Sequence, residues 1–177
     1  LGTDLELALR TLSSEVGFVK SFAQAFAYKR LPGARPFVLA AGVRVGLARG
    51  FERRVPRLDS AGQPVLDVSG TQIVDTVADL PASERFFAGG DSTVRGFALD
   101  RLGSQATLNS AGFPTGGNAM VVLNTELRTP YFKGVGLVGF VDAGNVFLRA
   151  SDIDAADLRT TAGVGIRYRS PLGPLRF

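Results

Sequence analysis

Alternation of apolar and polar residues runs through most of the chain, and helical periodicity is hard to find. In the segment 37–48, every second residue from Phe37 to Leu47 is apolar, and the intervening positions from Ala40 to Ala48 hold only alanine, glycine and arginine. A period of two indicates β-strands, whose successive side chains point to opposite faces. The pattern predicts six strands and the start of a seventh near Leu175; the six cover residues 4–10, 16–30, 37–48, 119–129, 134–147 and 158–169.

These predicted strands have the length and the two faces of membrane-spanning strands. All but the first reach the roughly 9–11 residues that a tilted strand needs to cross a bilayer. The face opposite the apolar one mixes glycine with arginine and acidic residues, as a crowded polar lumen would. In 16–30, Lys20 and Gln24 share a face with aromatic residues, so the register there stays open. We therefore predict an all-β fold: an antiparallel transmembrane β-barrel, of which this chain holds about six or seven strands.

The connections between the predicted strands alternate between short and long. The short ones contain proline and cover residues 30–36, 129–134 and 170–174. The others cover residues 11–15, 51–117 and 148–157. Barrels place short turns at the periplasmic rim and longer loops outside, so 51–117 is expected on the outer side. An odd, partial set of strands would leave open edges in lipid, which favours a portion of a larger barrel.

Composition narrows the chemistry that the chain can perform. Cysteine and histidine are both absent, which excludes disulfides, thiolate metal sites and Ser–His or Cys–His catalysis within the chain. The formal charge of +4 is too small, and too evenly spread, to indicate nucleic-acid binding. The acidic segment 152–157 lacks the glycine and glutamate of a calcium loop. We therefore expect no metal and no cofactor.

Residues 85–103, RFFAGGDSTVRGFALDRLG, form an unusual part of the long connection 51–117. Their phenylalanines and aliphatic residues are too apolar for a solvated loop tip, and the glycines permit a tight reversal. We predict a hairpin-like excursion that folds back into the lumen. Its tip would consist of Val94, Arg95, Gly96 and Phe97.

An arginine in a narrow interior needs carboxylate partners, because an unpaired buried charge is costly. Asp142 shares the inward face with Phe140 and Gly144, and Glu126 lies on the inward face of the preceding strand. We predict that Arg95 binds both carboxylates through its planar donors. Close approach of the loop is expected to be permitted by the wall glycines Gly136, Gly139 and Gly144.

Each of these residues also has an ordinary interpretation. Arg95 could be a solvent-exposed loop arginine, and Asp142 could be a turn residue. Glu126 could simply pair with Arg128 inside the lumen. Two adjacent aromatic residues in a short turn, Tyr131 and Phe132, are expected in the interfacial aromatic girdle of the barrel.

Four segments together resemble the C-terminal barrel half of the bacterial surface antigen family, also called the BamA–TamA family. In chain order they are FFAGGDSTVRGF with its VRG[FY] core, GGNAMVVLNTELRTP, the F-x-D-x-G of Phe140–Gly144, and AGVGIRYRSPLGPLRF. The resemblance covers most of residues 16–177. The combination is specific, although VRGF alone would be weak.

The resemblance implies a 16-stranded barrel in the bacterial outer membrane, preceded by periplasmic POTRA domains, of which residues 1–177 are a C-terminal portion. It implies that Arg95 lies on a lumen loop and bonds Asp142 and Glu126. The implied function is the folding and insertion of other outer-membrane proteins, without enzymatic activity. The implied partners are membrane lipids, unfolded client proteins and accessory lipoproteins. The alternatives are a polypeptide secretion exporter of the same superfamily, a passive porin-like barrel, an anchor for an enzyme domain, and a soluble β-sandwich.

Overall fold

The computed structural model describes residues 2–8, 17–33, 35–78, 80–170 and 173–176. Nine β-strands are present in them. They are β1 (Gly2–Ala8), β2 (Phe18–Arg30), β3 (Val38–Gly50), β4 (Arg53–Pro56), β5 (Val74–Val77), β6 (Ala119–Arg128), β7 (Val135–Phe147), β8 (Arg159–Ser170) and β9 (Gly173–Arg176).

Seven of the strands form one antiparallel sheet in the order β1-β2-β3-β6-β7-β8-β9. Each strand therefore lies beside its neighbour in the chain, except that the long connection between β3 and β6 contains the separate hairpin β4–β5. The described sheet is not closed, since β1 and β9 each have one neighbour. The predicted all-β, antiparallel architecture is confirmed; residues 9–10 and 16 of the predicted strands lie outside the described residues. The described part of the chain contains no helix long and apolar enough to cross a membrane.

The two faces of the sheet differ as the alternation predicts. On the outer face, Val43 of β3 lies beside Leu123 of β6, and both are exposed. On the inner face, Ala40 of β3 pairs with Glu126 of β6, which pairs with Phe140 of β7. An exposed apolar outer face is the surface that a barrel presents to lipid.

Strand β2 reverses this pattern, which resolves its register. Phe22 and Phe26 lie opposite Gly46 and Gly42 of β3 and face inward with Lys20. A Cβ built on Gly42 would lie 2.9 Å from the Phe26 ring, so the missing side chain makes room for the aromatic residue. The outer face of β2 instead carries small residues, which are Ser21, Ala23, Ala25 and Ala27.

The hydrophobic core lies between the inner face of the sheet and the long connection that covers it. Leu80, Val94 and Leu102 of the connection are almost completely buried. They belong to one cluster with inward residues of the sheet, namely Phe18, Ala48, Met120, Val122 and Val146. The connection is therefore packed against the sheet as a second layer.

A seven-residue turn occurs three times in the long connection. Its first and last residues form an isolated bridge, over 58–64, 66–72 and 108–114. In each copy, the side-chain oxygen of the second residue, Asp59, Asp67 or Asn109, accepts hydrogen bonds from two backbone N–H groups. Short polar side chains close turns in this way, so these stretches are ordered by local bonding rather than by burial.

Candidate functional site

The loop tip is held in a tight reversal by bonds within residues 89–97. The Thr93 hydroxyl donates to the carbonyl of Gly89 at 3.0 Å and accepts from its N–H at 2.8 Å. The N–H of Gly90 donates to the carbonyl of Phe97 at 3.0 Å. Gly96 has φ of 89°, a conformation that side chains disfavour. The glycine-rich sequence therefore presents Arg95 on a closed turn.

Arg95 contacts two carboxylates on the inner wall. Its Nε and Nη2 donate to Oδ2 and Oδ1 of Asp142 at 2.7 and 2.8 Å, and its Nη1 donates to Oε1 of Glu126 at 2.7 Å. The backbone N–H of Arg95 also donates to Asp142 Oδ2 at 3.1 Å. The arrangement is a bidentate fork on β7 with a third bond to β6, which is the geometry that guanidinium groups favour.

Asp142 is completely buried, and its oxygens are fully engaged. Besides Arg95, it accepts a hydrogen bond from Nδ2 of Asn124 at 2.8 Å. The same amide nitrogen donates to the carbonyl of Thr93 at 2.7 Å, while Asn124 Oδ1 accepts from Nη1 of Arg44 at 2.9 Å. The hydrogen bond with Asp142 is the largest of the effects that raise the pKa of the Arg95 guanidinium. A buried ion pair is stabilising only when its remaining polar atoms are satisfied, as they are here.

The Glu126 carboxylate pairs with two arginines. One carboxylate oxygen accepts from Arg95, and the other accepts from Nε of Arg128 at 2.7 Å. The two interpretations of Glu126 made from the sequence therefore describe two halves of one network. Because Arg128 also lies 5.5 Å from the Tyr28 ring, the network extends from β7 across β6 toward β2.

The other two wall residues shape the space around the loop tip. The Phe140 ring lies 3.8 Å from Cζ of Arg95, close enough for a cation–π contact. A Cβ on Gly163 of β8, the residue that pairs with Phe140, would be 2.5 Å from that ring. A Cβ on Gly144 would lie 2.9 Å from Val94, so this glycine leaves room for the buried tip residue.

Two of the three glycines that were expected to permit close approach of the loop do not have that role. Gly139 lies on the outer face, and nothing is within 4 Å of a Cβ built there. A Cβ on Gly136 would meet the Tyr131 ring at 3.4 Å, so Gly136 makes room for a turn residue. The expectation was wrong for both residues, and Gly144 alone of the three faces the loop tip.

Asn124 and Thr161 are parts of the site that the sequence did not single out. Thr161 of β8 donates its hydroxyl to the carbonyl of Arg95 at 2.7 Å. Both are small polar residues on inward positions, and Asn124 stands two residues before Glu126 on the same face. Phe97 completes the tip and packs against the core from a partly buried position.

Replacing Thr161 by valine is expected to lower the free energy of unfolding by about 1 kcal/mol, the usual contribution of one such hydrogen bond. Thr160→Val is the matched control, because Thr160 is exposed on the outer face of the same strand. Urea unfolding of the refolded protein measures the free energy of unfolding of both variants. Equal stability of the two variants would contradict a role for the Thr161 hydroxyl.

The long connection also contacts strands on the other side of the sheet. Glu84 accepts a hydrogen bond from Nζ of Lys20 on β2 at 3.2 Å. The Phe86 ring lies over Gly46 of β3, where a Cβ would be only 2.5 Å away. Together with the contacts of Arg95, these bind the connection to β2, β3, β6, β7 and β8. No group of three or more potential metal ligands is present in the described residues.

Comparison with known proteins identifies the family. The model of the Omp85 superfamily domain matches residues 1–177. The outer membrane protein assembly factor BamA of Nitratidesulfovibrio vulgaris is 30% identical over 111 residues, which are 61% of this chain and 14% of that protein.

A solved structure shares the fold. The crystal structure of BamA from Haemophilus ducreyi lacking POTRA domains 1-3 aligns with 90% of this chain and 30% of its own, with a TM-score of 0.60 and 22% sequence identity. The chain thus spans a minor part of each relative's length. Because the family model matches the chain from end to end, this protein belongs to the Omp85 superfamily and is an outer-membrane protein.

Proposed function

We propose that this chain is part of the barrel of an outer-membrane protein assembly factor, which folds and inserts other β-barrel proteins. Membership of the Omp85 superfamily supports a function of the barrel-assembly or secretion type. The finer assignment rests on the similarity to a protein named as an assembly factor. Residues 1–177 would be a C-terminal portion of its barrel domain.

The covered inner face supports this proposal over a passive porin. Leu80, Val94 and Leu102 cover the inner side of the sheet with apolar side chains, where a porin has a water-filled channel. The Arg95 network fixes this cover to the wall. Such a barrel works without covalent chemistry, by offering strand edges to unfolded clients and by perturbing the surrounding bilayer. Accessory lipoproteins would assist it.

The test is client folding by the full-length protein in liposomes. A urea-unfolded outer-membrane protein is diluted into these liposomes and into empty ones, and its folding is followed by heat-modifiable gel mobility. We expect at least tenfold faster folding, equivalent to roughly 1.4 kcal/mol of barrier. Folding at the rate of the empty liposomes would contradict the proposal.

The same liposomes separate the alternatives. A secretion exporter would deliver its substrate to the opposite side, where the substrate is protected from protease and not inserted as a barrel. A passive porin would give steady ion conductance without faster client folding. An assembly factor yields client barrels that are extracted from the membrane only by detergent.

A further inference from the structure

The short turns at one end of the sheet carry basic residues and no acidic ones. The antiparallel order brings the β2–β3, β6–β7 and β8–β9 connections to the same end. No aspartate or glutamate occurs in residues 27–40, 127–141 and 162–177. The same segments contain Lys29, Arg30, Arg35, Arg128, Lys133, Arg167, Arg169 and Arg176. The short connections at this end predict that it is the periplasmic rim.

The two adjacent aromatic residues of the β6–β7 turn lie on opposite faces of the sheet. Tyr131 packs over Gly136 on the inner face, with Cζ of Arg167 and Arg169 at 5.5 and 5.4 Å from its ring. Phe132 exchanges two backbone hydrogen bonds with Val135, at 2.8 and 3.0 Å. Paired residues share a face, and Val135 is on the outer one.

Phe132 therefore belongs to an outward, lipid-facing row. Val135 pairs in turn with Tyr168 of β8, and all three side chains are exposed, Phe132 by 62%. Two aromatic residues flanking an aliphatic one at the end of a spanning strand match the interfacial girdle of barrels. We therefore infer that Phe132 lies at the depth of the lipid headgroups.

Two cations lie against the exposed Phe132 ring. Cζ of Arg35, from the β2–β3 turn, is 5.9 Å from the ring centroid, and Nζ of Lys133 is 5.7 Å from it. Within the described residues, neither cation forms an ion pair with a carboxylate. Two positive charges that lie within 6 Å of one exposed ring and form no ion pair in the described residues offer a site for an anion at this rim.

We propose that Arg35 and Lys133, the two cations beside the Phe132 ring, bind the phosphate of an anionic phospholipid in the periplasmic leaflet. The two cations engage the phosphate oxygens, and the acyl chains lie along Val135 and Tyr168. A phospholipid fits better than an acidic protein, because the cations flank a ring that faces the hydrocarbon side of the sheet. The site depends on the outer-membrane location and not on the proposed assembly function.

Native mass spectrometry of the full-length protein, released from detergent with defined lipids, tests the site. The wild type is expected to retain phosphatidylglycerol in preference to phosphatidylcholine. The preference should weaken as the ionic strength is raised. In the double variant Arg35→Gln/Lys133→Gln, retention should weaken by roughly 30-fold, since each cation near an anionic surface contributes roughly a factor of five.

Arg169→Gln is the matched control, because it removes a cation from Tyr131 on the inner face of the same rim. It should leave phosphatidylglycerol retention unchanged, and heat-modifiable mobility verifies that each variant is folded. Equal retention of the two lipids by the wild type overturns the proposal, whatever the variants do. It is also overturned if the double variant retains phosphatidylglycerol as well as the wild type does, or if inorganic phosphate binds the wild type as well as the lipid does.

Discussion

Replacing Arg95 by alanine is expected to lower the free energy of unfolding by about 3–5 kcal/mol, the usual cost of leaving a buried charge without its partner. The reason is Asp142, which is completely buried and would keep only the Asn124 amide as a side-chain donor. Glu126 is affected less, because Arg128 still neutralises it. Urea unfolding of the barrel refolded in detergent or lipid measures the loss.

Two further variants show whether the stranded carboxylate is the cause. Arg101→Ala is the matched control, because Arg101 is an exposed arginine of the same connection that contacts a ring, Phe113, and a backbone carbonyl. It should change stability little. The double variant Arg95→Ala/Asp142→Ala should be more stable than Arg95→Ala alone, since it removes the unpaired charge. A double variant as unstable as the sum of its parts would contradict this explanation.

Replacing Gly163 by alanine is expected to lower the free energy of unfolding by about 1–3 kcal/mol, the range for overpacking a filled interior. The new Cβ would lie 2.5 Å from the Phe140 ring, and the three nearest atoms to it all belong to that ring. Arg95 lies against the same ring at 3.8 Å and limits how far the ring can shift toward the loop tip. The effect should appear in urea unfolding and in lower heat resistance on gels.

A double-mutant cycle isolates this contact. In a Phe140→Ala background, Gly163→Ala should cost almost nothing, because the atoms that it would meet are gone. Gly139→Ala is the control on the neighbouring strand, since nothing lies within 4 Å of its Cβ. If Gly163→Ala were equally destabilising with and without Phe140, packing against the ring would not be the reason for glycine at this position.

The strands were predictable because their length and period are set by the two environments that they separate. The segment 37–48 predicted β3, which spans Val38–Gly50. Strand β2 resisted the same argument, because its phenylalanines face inward over glycines of β3. A rule that assigns apolar side chains to lipid cannot anticipate an interior filled by a folded-back loop. The hairpin β4–β5, inside the predicted loop 51–117, was not predicted, because no long alternation of apolar and polar residues marks its strands.

The candidate site was likewise predictable from the sequence only in part. Arg95 and Asp142 could be paired from the sequence, because a buried arginine needs a carboxylate and the inward face offered few. Asn124 and Thr161 could not, since small polar side chains are common on a lumen face and their partners here are loop carbonyls. The position of those carbonyls depends on the path of the turn 89–97, which the sequence does not specify.

The long connection contacts five consecutive strands of the sheet and therefore holds them together. Separating β2 from β3, or any pair from β6 to β8, would pull against the Lys20–Glu84 pair, the Phe86 contact or the Arg95 network. Strands joined only by backbone hydrogen bonds could slide or separate. Strands that the connection also holds together must first lose their contacts with it. If the proposed assembly function holds and the barrel opens laterally, we expect the opening to lie outside β2–β8, where the connection does not hold neighbouring strands together.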